Sequence, residues 1–297
     1  MSHPHKHAHG NHKHKTSKNA LLIASVLLFG FAIIEGIFGW MANSLTLLSD
    51  AGHMVADGAS LILATIAAWI ASKPPSKQHS YGLGRAEVLG AWISSMAMVL
   101  IALFIGFHAL ERFARPQAVA SNTVMLIGAL GIAVNLLLVW ILHHAEHTLN
   151  SRAAILHVLG DLLGSVAALI SGIVIHLTGW LAIDPLLSMF IAILILISSI
   201  NLLRETLLVL MEGVPLHLDL AEVGKQIANT PKVIAVHDLH IWTLSSGLIV
   251  LSAHIELDDL TDWQRTLHDL RIMLSEKFAI THVTLQPEMR SQLVQWK

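Results

Sequence analysis

With 54% hydrophobic and only 13% charged side chains in 297 residues, the chain has too little polar surface to cover a soluble globule of its size. Composition therefore predicts an integral membrane protein held in a lipid bilayer. A formal net charge of −2 gives no electrostatic basis for a nucleic-acid partner, and the absence of cysteine excludes disulfides and thiolate metal sites and disfavours copper(I).

Residues 1–19 carry His3, His5, His7, His9, His12 and His14 among lysines, a proline and a glycine, with no apolar periodicity. This is the composition of a disordered polar tail, read here as a weak metal-collecting arm. The apolar segment that follows has no small-residue cleavage pattern after it, so the start does not read as a signal peptide.

Apolar runs near 20–42, 45–71, 86–111, 122–142, 152–177 and 181–210 each reach the ~20 residues a helix needs to cross ~30 Å of hydrocarbon. They predict six transmembrane helices within residues 20–212. Lys6, Lys13, Lys15 and Lys18 precede the first helix, Lys73, Lys77 and Arg85 follow the second, and Arg152 and Arg204 lie at later ends on the same side; Arg112 and Arg115 are the main basic residues opposite. The positive-inside rule then puts both termini in the cytoplasm, with the His79 loop and the His143/His144/His147 loop.

Residues 213–290 read as a small soluble α+β domain, followed by a tail at 291–297. A helix over 219–229, strands over 233–244 and 248–257 joined at Ser245-Ser246-Gly247, a helix capped by Asp262 and a strand over 280–286 give the order αββαβ. The expected product is a three-stranded sheet with both helices on one side, a unit small enough to need a partner to bury its remaining surface.

Within the apolar segments, Ser49-Asp50-Ala51-Gly52-His53-Met54-Val55-Ala56-Asp57 sets a histidine and an aspartate four residues apart, and the pair recurs at His157 and Asp161. Positions i and i+4 share one face of a helix, so each segment presents an imidazole beside a carboxylate. Two such faces turned together supply four N/O ligands, the set of a tetrahedral divalent transition-metal site. An uncompensated carboxylate in hydrocarbon costs roughly 2.5–3.5 kcal/mol on insertion scales. Each aspartate could be compensated by its own histidine, but two matching pairs flanked by Ala51, Gly52, Ala56, Gly58, Ala59, Gly160, Gly164 and Ser165 favour close helix approach around an ion. Asp50 lies one turn outward on the face of His53 and Asp57, suited to hold a ligand or line the exit path. Glu35 and Asn135 are expected to make helix-to-helix hydrogen bonds, and His108 and His176 to lie at the outer interface.

These residues strongly resemble the cation diffusion facilitator family, in particular bacterial zinc/cadmium efflux proteins and vesicular zinc transporters. The likeness runs over residues ~18–290 through the two His/Asp motifs, Met211-Glu212-Gly213-Val214-Pro215, His237-Asp238-Leu239-His240-Ile241-Trp242 and His282-Val283-Thr284-Leu285-Gln286. It implies a homodimeric, proton-coupled antiporter with a cytoplasmic metallochaperone-like domain, in which His53, Asp57, His157 and Asp161 carry Zn2+ outward against protons. It also implies accessory cytoplasmic ligands at His237, His254, His282 and Glu288, although Gln286 stands where some members have histidine. His79 matches the position of a loop site but has no carboxylate near it in sequence, and His240 and His268 are poorer candidates. The residues themselves leave two other classes open, an intramembrane metalloenzyme and a membrane metal sensor. The first lacks a His-Glu-x-x-His motif, and the second would not need ionisable pairs in two helices.

Overall fold

The computed structural model describes residues 11–144, 149–245 and 247–289. Histidines 3–9, His147 of the fourth-helix loop, Ser246 of the hairpin turn and the 291–297 tail lie outside the described residues. Six long helices come first: α1 (Asn11–Ala42), α2 (Leu45–Ala71), α3 (Arg85–Ala114), α4 (Ser121–His144), α5 (Leu149–Thr178) and α6 (Ile183–Leu210). All six contain a stretch long and apolar enough to span a membrane. The first begins at Asn11, so part of the expected tail is helical. Lys13, Lys15 and Lys18 hid this, because they lower hydropathy without breaking a helix.

The chain divides into two compact units, Met1–Ile62 with Ser94–Ile200, and Leu63–Ile93 with Asn201–Lys297. In the first, α4 and α5 approach closely: a methyl group at Gly128 would stand 2.7 Å from the backbone nitrogen of Leu169. Among the described residues one buried apolar cluster of this unit is drawn from α1, α2, α4 and α5, with Phe31, Leu47, Met54, Val124, Ile127 and Ala168, and another from α3, α5 and α6, with Ala102, Ala167, Ile191 and Ile195.

The second unit holds the small α+β domain. Helix α7 (Leu220–Ala228) starts at Asp219, whose side chain accepts from the backbone N–H groups of Ala221 and Glu222. Strands β1 (Val233–Ser245) and β2 (Leu248–Leu257) form an antiparallel hairpin, and β3 (His282–Met289) joins β2 in parallel, giving the order β1-β2-β3. Leu251, Ala253, Ile255 and Leu257 point to one face of β2, where Val223 and Ile227 of α7 and Leu270 and Leu274 of α8 (Trp263–Phe278) cover them. The αββαβ order and the helices on one side are as the alternation predicts. Two details differ. Asp262 precedes α8 but makes no side-chain cap; its carboxylate pairs with Lys232 instead. The last strand runs to Met289, three residues beyond the expected end at Gln286, because Pro287 does not interrupt an edge strand.

Candidate metal centre

Helices α2 and α5 bring the two His/Asp pairs together. His53 Nε2 lies 3.6 Å from Asp57 Oδ2, His157 Nε2 lies 3.7 Å from Asp161 Oδ2, and across the helices His157 Nε2 lies 3.3 Å from Asp57 Oδ2. The two imidazoles stand edge to face with centroids 6.5 Å apart. His53, Asp57 and Asp161 each offer an atom within 4.8 Å of the others. Ligand atoms ~2.0–2.1 Å from a tetrahedral zinc are separated by about 3.3–3.4 Å, so the observed spacings need little closure to surround an ion. Nδ1 of His53, Nε2 of His157 and both carboxylate oxygens of Asp161 are buried with no hydrogen-bond partner among the described residues. Acceptors gathered in this way are stable only with a cation or protons among them.

The small residues around the site act unequally. A methyl at Gly164 would overlap the carboxylate of Asp50, and one at Gly58 would overlap the ring of Phe29, whereas Gly52 and Gly160 have nothing within 4 Å of that position. Close approach is thus set by Gly164 and Gly58. Asp50, 1% exposed, packs on Gly164 and hydrogen-bonds Ser165, which also accepts from Asn135 Nδ2 at 3.2 Å. Asn135 thereby makes the expected helix-to-helix bond. Glu35 does likewise: it is fully buried, and its carboxyl pairs with that of Asp50 between α1 and α2. His108 lies near the end of α3 against Phe104 and 3.5 Å from Glu111, and His176 lies in the last turn of α5.

An aspartate near the start of the 181–210 run fixes the start of α2. Asp184, fully buried in the first turn of α6, accepts from Ser44 Oγ at 2.6 Å, from the backbone N–H of Leu45 at 2.6 Å and of Thr46 at 3.4 Å, and from Ser171 Oγ at 3.3 Å. It caps a neighbouring helix and satisfies N–H groups that the first turn of α2 leaves open. Just before α2, Arg112 donates from Nη1 to the backbone oxygen of Asn43 and from Nη2 to its Oδ1, both at 2.6 Å, holding Asn43 at φ 53. The only available sequence signals are polar residues beside Asn43-Ser44 and Asp184-Pro185, and they do not reveal the pairing.

The small domain gathers a second cluster. Register sets His237 opposite His254, and Glu288 reaches both, with Oε2 3.1 Å from His237 Nε2 and Oε1 2.8 Å from His254 Nδ1. Asp238, at φ 47 in a bulge of β1, stands 3.7 Å from His237 and 3.9 Å from His254. His282 is not part of this group. The parallel register sets it opposite Val250, while Gln286 is the residue opposite His254, and its ring meets Tyr81 edge-on at 6.1 Å. The carboxylate brought to the two histidines is therefore Glu288, and the nearby group missed by sequence is Asp238, hidden because a bulge reverses the alternation that would have turned it away.

Residues 21–211 match the family model described as cation efflux transmembrane domain, and residues 215–290 the one described as cation efflux protein, cytoplasmic domain. The chain belongs to the cation efflux family. This cation efflux protein is 41% identical to the cadmium, cobalt and zinc/H(+)-K(+) antiporter of Bacillus subtilis, over 94% of this chain and 91% of that protein. It is 37% identical to the zinc transporter ZitB of Escherichia coli, over 97% and 93% of the two chains, and 38% identical to the metal cation efflux system protein CzcD of Cupriavidus metallidurans, over 97% and 90%. The fold the sequence predicted, six membrane helices and a small cytoplasmic α+β domain, is the family's.

Proposed function

We propose that this cation efflux protein exports Zn2+, together with cadmium and cobalt, by exchange with protons at His53, Asp57, His157 and Asp161. The observation that carries this reading is the convergence of Asp57 Oδ2 on the imidazoles of two helices, 3.6 Å from one and 3.3 Å from the other, inside an apolar bundle. Two imidazoles and two carboxylates are borderline N/O ligands that suit zinc and its neighbours and disfavour magnesium. Each must be unprotonated to bind the ion, so metal and protons compete for the same four side chains. Loading from the cytoplasm, rocking of the helices and displacement of the ion by protons from outside completes the cycle.

The small domain supports a homodimer, in line with the family model its sequence matches and with its limited core. His237, His254 and Glu288, with Asp238 at hand, form its accessory zinc site. The basic residues around α1, the α2–α3 loop and α5 orient both termini to the cytoplasm of a bacterial inner membrane. The test is zinc uptake into sealed inverted vesicles containing the purified protein, with cadmium, cobalt and manganese compared, under an imposed pH gradient. Uptake that tracks the gradient and collapses with it is expected. Equal uptake with the gradient dissipated would refute the exchange.

A further inference from the structure

Two buried carboxyl groups of the bundle have no part in the cycle above. Glu35 of α1 is fully buried, Asp50 of α2 is 1% exposed, and their side chains are hydrogen-bonded to each other. An ionised carboxylate has only acceptors, so a bond between two carboxyl groups requires a proton on one of them. The groups that act on the pair from the neighbouring elements are Ser165 of α5, which Asp50 also hydrogen-bonds, and the charge of Asp161, one turn before Ser165. Behind them, Asn135 of α4 donates from Nδ2 to Ser165 at 3.2 Å. With a third acid so close and water excluded, two bare carboxylates in contact would repel each other strongly, and a shared proton removes that cost.

We propose that the Glu35–Asp50 pair is a proton-binding site separate from the zinc ligands, which holds one shared proton while the metal site is empty and releases it when zinc binds at Asp161. The ligands give up protons because the metal takes the same lone pairs. The pair gives up its proton through charge alone. Asp161 carries the signal, since its charge acts on Glu35 and Asp50 on one side and it faces His53, His157 and Asp57 on the other. Without metal its negative charge favours a proton on the pair; a dication bound to it reverses that local sign, and the proton leaves to water. By reciprocity a proton on the pair weakens zinc binding, so the exchange includes a proton beyond those of the four ligands. The pair stands on its own geometry; only its response to zinc rests on the reading of Asp161 as a ligand.

Infrared difference spectroscopy of the full-length protein in detergent reads the protonated carboxyl stretch, and a pH indicator in weakly buffered solution counts protons released per zinc bound. Metal-free wild type is expected to show a protonated carboxyl band that zinc removes. It should also release about one proton more per zinc than Glu35→Gln, and the excess should persist at a pH where the histidines are already neutral. Asp50→Asn, whose amide can still donate to Glu35, should lose the same band and the same proton. In Asp57→Asn the metal-free band should remain and zinc should no longer remove it; a band that zinc still removes there would overturn the zinc assignment while upholding the proton site. A metal-free spectrum unchanged by both Glu35→Gln and Asp50→Asn would overturn the proposal, as would equal proton release per zinc from wild type and both variants.

Discussion

Removing the Asp184 carboxylate should unfasten the start of the helix that carries His53 and Asp57. In Asp184→Ala, the hydroxyl of Ser44 and the N–H of Leu45 each lose a 2.6 Å bond to a charged acceptor, and Thr46 N–H and Ser171 Oγ lose weaker ones at 3.4 and 3.3 Å. Hydrogen bonds to charged groups contribute about 1.5–3 kcal/mol each, and a buried N–H left without a partner costs about 1–3 kcal/mol. Deleting a buried carboxylate also removes its own desolvation penalty, so the net loss should be about 3–4 kcal/mol rather than the sum. Ser171→Ala, which gives up only the 3.3 Å contact, should cost about 0.5–1 kcal/mol. Reversible unfolding of the purified protein in mixed micelles of increasing denaturing detergent measures both. A loss under about 1 kcal/mol for Asp184→Ala, or equal losses for the two variants, would refute the capping role.

Gly164→Ala places a methyl group on the Asp50 carboxylate and should destabilise the bundle by about 1–3 kcal/mol, read by the same unfolding assay, with Gly160→Ala near neutral because its position is open. Arg112→Lys cannot reproduce the forked donation to Asn43, and should lower stability nearly as far as Arg112→Ala. In the small domain, Glu288→Ala should reduce bound zinc per protomer in the full-length protein by the accessory site, and His282→Ala should leave that stoichiometry unchanged, as measured by elemental analysis after equilibrium dialysis. Zinc affinity at the membrane site should fall as pH falls, since protonation of His53 or His157 removes a ligand, and titration calorimetry across pH checks the sign.

The two His/Asp pairs were legible in the sequence because i, i+4 spacing on an apolar helix is a local signal, and the pairing of the two helices followed from their likeness. The αββαβ domain was legible for the same reason, its strands alternating and its helices showing one apolar face. Contacts between distant segments were not. Asp184 and Ser44 are joined only by the packing of α6 against the start of α2, and nothing in either segment names the other. Glu35 reads as an interhelical hydrogen bond, but nothing in its segment shows that the partner is a second carboxyl, Asp50. His282 illustrates the reverse error: it begins the expected strand, but parallel pairing carries Gln286 and Glu288, not His282, to the level of His254 and beyond. Register is a tertiary property, and a histidine's place in a motif does not fix it.

Zinc flux into sealed vesicles for wild type, Asp57→Ala and Asp161→Ala, at matched protein density and under one imposed pH gradient, tests the central claim most directly. Asp57 lies against both imidazoles and Asp161 is buried beside His157, so each variant should lose gradient-driven zinc flux while still inserting as a folded protein. Flux at the wild-type rate in either variant would contradict the assignment of the transport site.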